Sequence, residues 1–321
     1  MLNQENLQSA LSAAWERKRP LRSKTEAIRL LNSEASGTPG LVAELFGPHL
    51  ILFDYQGWVK QLSRESSEGI LHSLGWESLI VLDRSDSRME GRERELILAG
   101  NPPKRFKVRE GTLDYWVELY HPRNTGLFLD TRNLREWLFL NAKDNRVLNL
   151  FCFTGSMGLA ALSGGAQAVS QVDISRRYLN WGRENLRLNS LPESACRFHA
   201  MDSERYLDWA KGKKLEFDQI ILDPPVFSRF EGRVFRFEED YFRLVEKSIA
   251  ILGSGGILHA VTNFSGITAR EFQAKLLDSG FRVGGREIQV IRLPLPVDFD
   301  ISHDSEKRTE GNALIFQIFL K

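Results

Sequence analysis

Residues 146–175 read RVLNLFCFTGSMGLAALSGGAQAVSQVDIS, and residues 217–228 read FDQIILDPPVFS. The first stretch opens with a short apolar run, Arg146–Phe151, that stops at a turn of small residues, Thr154-Gly155-Ser156, with Gly158 opening a helix. A second apolar run ends on an acid, Asp173. Strand, glycine turn, helix, strand, carboxylate is the layout of a nucleotide-binding βαβ unit. Glycine lets the backbone approach a ligand closely. An acid about twenty residues further on can accept hydrogen bonds from both hydroxyls of a ribose.

The spacing is not the dinucleotide fingerprint. A pyrophosphate needs G-x-G-x-x-G leading into exposed helix N–H groups, whereas Phe153-Thr154 stand where the first glycine would be. A bulkier turn suits a ligand with ribose and base but no phosphate, and S-adenosylmethionine (SAM) is such a ligand. Asp223-Pro224-Pro225-Val226-Phe227 ends a third apolar run. Two prolines fix φ and remove N–H donors, leaving the Asp223 carboxylate and backbone carbonyls as a rigid acceptor edge. Phe227 offers a flat face to a base. Taken singly, the glycine turn is simple βα packing, Asp173 a strand-end acid or helix cap, and Asp-Pro-Pro a turn. In this order, at the ends of successive strands where such sheets bind ligands, they point to a SAM-dependent methyltransferase.

The rest of the chain bounds that reading. At 321 residues it fits two domains. With 43 basic against 42 acidic residues, a nucleic-acid surface must be a local patch. Two cysteines, Cys152 and Cys196, exclude a disulfide framework, and with six scattered histidines they give no metal-ligand spacing. The N-terminus lacks a signal-peptide pattern and no run approaches membrane-spanning length, so a soluble, cytoplasmic protein is expected. The sequence carries no signal for oligomeric state.

Taken in order, residues 1–32 are expected to hold one or two amphipathic helices with Trp15, Leu21, Ile28 and Leu30 as apolar positions. The basic cluster Arg17, Lys18, Arg19, Arg22, Lys24 and Arg29 is either a solvated face or an RNA contact. A hairpin follows over 37–56, then a helix over 57–74, a strand over 78–82 and a polar connection over 83–102. A second hairpin surrounds Glu110-Gly111. The boundary is set at its start, giving a small N-terminal α/β domain, 1–104, for RNA placement and a catalytic domain, 105–321. Phe128 and Arg132, just upstream of the first strand of that domain, are expected over the cofactor crevice. Asp202 ends a strand and can read the adenine amino group or cap the next helix. The loop RFEGRVFRFEED mixes Arg229, Arg233 and Arg236 with Phe230, Phe235 and Phe237, a pattern of base stacking with phosphate contact or of half-buried core. Seven strands complete a Rossmann-like α/β sheet, with the last two as an antiparallel hairpin.

TGLFLDTR, RVLNLFCFTGS, GGAQAVSQVDIS, YLNWGRENLRLNSL and LDPPVFS resemble the class I methyltransferases of bacterial large-subunit (23S) ribosomal RNA. They are most similar to the guanine-N7 methyltransferase half of the bifunctional enzyme; the cytosine-C5 enzymes share the framework. The likeness covers 103–265 well and 25–105 more weakly, and too few residues precede Thr25 for the PUA module of the cytosine enzymes. The resemblance implies SAM against Phe151, Thr154, Gly155, Asp173, Ile174, Ser175, Asp202, Ser203 and the Asp223-Pro224 edge, with Phe128 and Arg132 nearby. It implies that Asp223, Pro224, Pro225 and Phe227 hold the target base, and that the partner is ribosomal RNA.

The methylated atom turns on a nucleophile. Methylation at cytosine C5 requires a thiolate that attacks the ring; the cytosine relatives carry a Cys in the segment matching Thr262–Gly266, which here reads TNFSG. Guanine N7 has a free lone pair and needs only placement. Asn263 matches an Asn of the guanine relative and can bond a base edge or cap a strand. The D-P-P-x-F edge also resembles the motif of exocyclic-amine methyltransferases. Asp298-Phe299 is shared with the guanine relative, and the insert that follows, over 300–312, is unfamiliar. A non-RNA acceptor, or a catalytically silent RNA-binding protein, are the other readings.

Overall fold

The computed structural model describes residues 4–58, 62–85, 95–119, 125–230, 233–283, 288–300 and 312–320. The chain divides into two compact units, Met1–Leu129 with Pro296–Glu310, and Asp130–Leu295 with Gly311–Lys321. The boundary expected at 104/105 thus falls some way later. The reason is local: in the hairpin of β6 (Phe106–Glu110) and β7 (Leu113–Val117), Arg109 O accepts from Glu26 N at 2.8 Å and Glu110 bridges Thr25.

The first unit is a five-stranded sheet, β1 (Ala27–Asn32), β2 (Leu41–Phe46), β3 (His49–Asp54), β4 (Ser78–Asp83) and β5 (Glu95–Gly100), hydrogen-bonded in sequence order. All neighbours are antiparallel except β3 and β4, which α2 (Arg64–Leu74) joins as a crossover. Ser63 caps α2 by accepting from Ser66 N, which starts it later than the expected 57. β5 lies inside the stretch expected to be a connection. The helix expected across 1–32 ends at Lys18 as α1 (Gln4–Lys18), because Pro20 lies in a 3-10 turn, Arg19–Ser23, that redirects the chain. Ile28 and Leu30 are therefore strand residues, packed with Leu7 and Leu11 of α1 in one core.

The basic cluster is not one solvated face. Lys18 is buried, and its Nζ donates to Leu30 O, Asp298 O and Asp300 Oδ2 at 2.8–2.9 Å. Arg29, also buried, pairs with Glu44 at 2.7 Å and lies 4.6 Å over the Phe299 ring, while its N–H donates to Asp298. Burying either charge demands such partners, so these two cations and the Asp298-Phe299 pair hold the unit together.

The second unit is a seven-stranded sheet: β8 (Arg146–Leu150), β9 (Ala168–Asp173), β10 (Cys196–Ala200), β11 (Phe217–Leu222), β14 (Leu252–Thr262), β15 (Ile288–Leu293) and β16 (Leu314–Leu320). The order is β10-β9-β8-β11-β14-β16-β15, parallel except that β16 runs antiparallel to both neighbours. The last strand thus enters the sheet beside β14 and leaves β15 at the edge. Its run LIFQIFL is buried almost throughout, as a strand with two covered faces requires. Side chains alternate between two cores. Leu148, Leu150, Ile220, Leu222 and Leu258 face one core; it draws on α6 (Ser203–Gly212), α7 (Phe237–Ile249) and α8 (Ala269–Arg282). Val147, Val169, Ile221 and Val261 face the other, which draws on α3 (Arg132–Asn141), α4 (Ser156–Ser163) and α5 (Arg176–Leu188). The expected charged loop after Asp-Pro-Pro is a hairpin, β12 (Phe227–Phe230) and β13 (Arg233–Arg236). Phe237 is buried and Phe235 packs against the core, so two of its three aromatics are structural; Arg229, Phe230 and Arg233 have side chains outside the described set. Among the described residues, no helix is long and apolar enough to cross a membrane.

Successive connections place β9 and β10 on one side of β8, and β11 and β14 on the other. The order reverses between β8 and β11, and the carboxyl ends of strands at such a point open a crevice for ligands.

Candidate active site

Four chain segments meet at that crevice. The turn from β8 to α4 is the most constrained. Phe151, Phe153 and Gly155 all have left-handed φ, +55°, +49° and +79°. Two of these are bulky residues, for which this region is costly, so the surroundings must hold the turn. They do. Phe153 N donates to Asp173 Oδ2 at 3.0 Å and Phe151 N to Ser203 Oγ at 3.3 Å. Asn185 Nδ2 donates to Thr154 O at 3.2 Å, and Gln171 Nε2 to Gly155 O at 3.0 Å. Gln171 is fully buried and its Oε1 accepts from Asn149 Nδ2 at 2.8 Å, which fixes the amide's orientation.

That buried amide also explains Gly158. A Cβ on Gly158 would collide with the Gln171 amide. Alanine in a helix interior normally gains about 1 kcal/mol over glycine. Here the neighbour is pinned at both ends, and overpacking costs about 1–3 kcal/mol. Gly158→Ala is expected to lower thermal stability, measured by calorimetry; a rise in Tm would show that Gln171 yields freely.

Asp173 ends β9. Besides Phe153 N, its carboxylate accepts from Ser175 N at 2.8 Å. Burial raises its pKa despite these two N–H groups. A carboxylate has about four lone-pair sites, so it retains acceptor capacity for hydroxyls. Ile174, next in sequence, is 38% exposed, an apolar surface at the strand end. Ser175 caps α5, accepting from Tyr178 N. Asp202 caps α6, its Oδ1 accepting from Arg205 N at 3.0 Å, and Met201 N donates to Asp173 O at 3.1 Å, drawing the ends of β9 and β10 together.

Across the crevice, Asp223 follows β11, whose Leu222 is level with Leu150 of β8. Its pKa is pushed up to about 7, chiefly by burial and then by the Asp130 charge. Asp130 is itself buried, its Oδ2 accepting from Ala313 N at 3.0 Å. Tyr241, whose hydroxyl donates to Val261 O at 2.9 Å, also feels the Asp223 charge. Pro224 is buried, Pro225 exposed, and Phe227 is 51% exposed. Asn263, just past β14, is exposed.

Phe151, Thr154, Gly155, Asp173, Ile174, Ser175, Asp202, Ser203 and Asp223 are thus gathered around one crevice. Phe128 is 42% exposed and falls at the end of the first unit. Arg132, half-buried, is the first residue of α3. Sequence reasoning passed over Asp130, Gln171 and Asn185. Gln171 leaves a signal, an amide inside the apolar run AVSQVD, and Asp130 stands in the same short segment as Arg132. Asn185 leaves none.

Both cysteines are buried. Cys196 is pushed up to about 12 and Cys152 well above its ordinary value, in each case first by burial.

A switch-point crevice in a sheet of this order, closed by a glycine turn on one side and an acid followed by two prolines on the other, defines a Rossmann-like nucleoside-binding transferase of class I topology. Residues 79–303 match the model of the S-adenosylmethionine-dependent methyltransferases, and the chain belongs to that family. It is 30% identical over 281 residues to Bacillus subtilis YwbD, assigned by name to the ribosomal RNA large subunit methyltransferases, covering 86% of this chain and 70% of that one. Ribosomal RNA large subunit methyltransferase K of Neisseria meningitidis serogroup B is 30% identical over 252 residues, covering 75% and 70%. Methyltransferase K/L of Dichelobacter nodosus is 38% identical over 166 residues, 51% of this chain and 22% of that much longer one. Among solved structures, SMU.776 complexed with SAH superposes with a TM-score of 0.88 at 26% identity, covering 99% of this chain and 82% of that one. The protein is a SAM-dependent methyltransferase.

Proposed function

We propose that the chain methylates a base of large-subunit ribosomal RNA in the cytoplasm, at guanine N7. The names of the similar proteins, at 30% identity across most of the chain, support the RNA class. The observation that carries the choice of atom is the state of the two cysteines. A covalent route to C5 needs a thiolate at neutral pH, and burial holds both thiols protonated. N7 requires no nucleophile and no proton removal, so positioning suffices.

In this reading the cofactor supplies an electrophilic methyl group on a sulfonium. Asp173 accepts from the ribose hydroxyls, Ile174 lies against the adenine, and the remaining oxygen of Asp202 reads the amino group. The Phe151–Gly155 turn, Ser175, Ser203 and Arg132 shape the pocket. The Asp223–Phe227 edge and Asn263 hold the acceptor base, with Phe227 stacking and Asp223 accepting from its N–H groups. A second reading, methylation of an exocyclic amine, is favoured by one observation: a carboxylate titrating near 7 is suited to take the amine proton.

Nucleoside mass spectrometry of unmodified large-subunit RNA, incubated with the protein and methyl-labelled SAM, tests the assignment. Label is expected on 7-methylguanosine, and the Cys152→Ala/Cys196→Ala double variant is expected to keep the wild-type rate after correction for folded fraction. Label on 5-methylcytidine, or a dead double variant that folds, overturns it; label on an N2- or N6-methylated purine selects the second reading.

A further inference from the structure

A cavity of about 440 Å³ lies between α5 and the edge strand β10, lined by none of the residues assigned to the crevice. Arg176, Asn180 and Arg183 enter it from α5, spaced four and three residues apart so that they share one helix face. Phe198, Ala200 and Met201 line it from β10 and its end, while the His199 ring turns to the other face of the sheet, 5.0 Å from the Tyr206 ring of α6. No acidic side chain lines it. Arg183 is held in place: its guanidinium lies 4.8 Å over the Phe198 ring and donates to Asn180 Oδ1 at 2.8 Å. That partner is a neutral amide. Among the described residues neither Arg183 nor Arg176 forms an ion pair, although the chain as a whole carries nearly equal charges.

We propose that this cavity takes a phosphodiester of the RNA substrate, at a nucleotide other than the one methylated, gripped by the guanidinium groups of Arg176 and Arg183. The inference rests on the RNA reading of the crevice. Guanidinium presents a planar fork that matches a phosphate in two hydrogen bonds, and Phe198 with Asn180 fixes the Arg183 fork in advance. The sheet edge thereby anchors the strand while the crevice acts on a base.

The test uses the full chain with a large-subunit RNA fragment, comparing wild type, Arg176→Gln, the Arg176→Gln/Arg183→Gln double variant and Arg183→Lys. In the variants SAM affinity should be unchanged, KM for RNA should rise several-fold at constant kcat, and the slope of log K against log salt should shrink by about 0.7 per arginine removed. Arg183→Lys, which keeps the charge, should retain the slope. The exposed Arg176 keeps the test valid should Arg183→Gln loosen Phe198. Unchanged slope and KM, with RNA still methylated by wild type, overturn the cavity assignment alone. If the wild-type slope persists in the double variant while inorganic phosphate binds wild type and not the variant, the cavity serves a free anion and the proposal fails. Failure of wild type to bind or methylate RNA overturns the RNA reading as well.

Discussion

Asp173→Ala is expected to raise the SAM dissociation constant by about two orders of magnitude or more, with the chain still folded. The carboxylate does two jobs. It accepts from Phe153 N and Ser175 N, holding a turn that contains two bulky residues at left-handed φ, and it has lone pairs left for the ribose. A hydrogen bond to a charged group contributes about 1.5–3 kcal/mol. Losing two of these toward the ribose gives about 3–6 kcal/mol, and a tenfold change needs only about 1.4 kcal/mol; water returning to the site offsets part of it. Asp173→Asn keeps one acceptor oxygen for the turn and should fall between alanine and wild type. Isothermal titration of SAM reads the order directly. Because burial raises the pKa, the acceptor form is lost as pH falls through that raised value, so wild-type affinity should weaken on the acid side sooner than an ordinary carboxylate would dictate. Wild-type affinity in Asp173→Ala would remove this residue from the site.

The fold of the second unit was legible because its signals are local. The glycine turn, the acid at the end of β9 and the two prolines after β11 each sit within a few residues of the backbone feature they produce. What escaped the sequence depends on partners far along the chain. Lys18 and Arg29 read as a basic surface, yet Asp300 and Glu44 neutralise them; one partner is hundreds of residues away and the other lies on a neighbouring strand. Ile28 and Leu30 fit a helix period until Pro20 turns the chain. Asp202 gave two readings, and the structure makes it a helix cap while leaving it an oxygen for another contact; Ser175, read only as a cofactor residue, caps the helix after β9. Asp130 was invisible as a site residue for a similar reason, since its effect is exerted on Asp223, a residue remote in sequence, through a shared buried space.

That space makes Asp223 the second position of large effect. Its pKa stands at about 7 against an ordinary 3.8, raised by burial and by Asp130. A carboxyl whose folded pKa is raised contributes most stability below its unfolded pKa and loses it as pH climbs from 3.8 to about 7. The loss is at most about 4 kcal/mol at about 1.4 kcal/mol per pH step, less whatever solvent at the rim of the site screens. Asp223→Asn removes that penalty and should be the more stable protein at pH 8, by thermal denaturation. Activity should move the other way. In the proposed site the ionised form accepts from the base, so wild-type kcat/KM should rise between pH 6 and 8 with a midpoint near 7, whereas Asp223→Asn should be flat and slower by about tenfold to a hundredfold, since a hydrogen bond to a charged group contributes about 1.5–3 kcal/mol. Asp130→Asn supplies the internal check: with the neighbouring charge gone, the Asp223 pKa falls and the midpoint should shift to lower pH while the plateau rate persists. A midpoint that ignores Asp130, or an Asp223→Asn enzyme as fast as wild type, would mean that the two acids are structural. A carboxylate kept at a cost to folding in a ligand crevice, beside a second acid that deepens the cost, is the arrangement expected where ionisation serves the reaction rather than the fold.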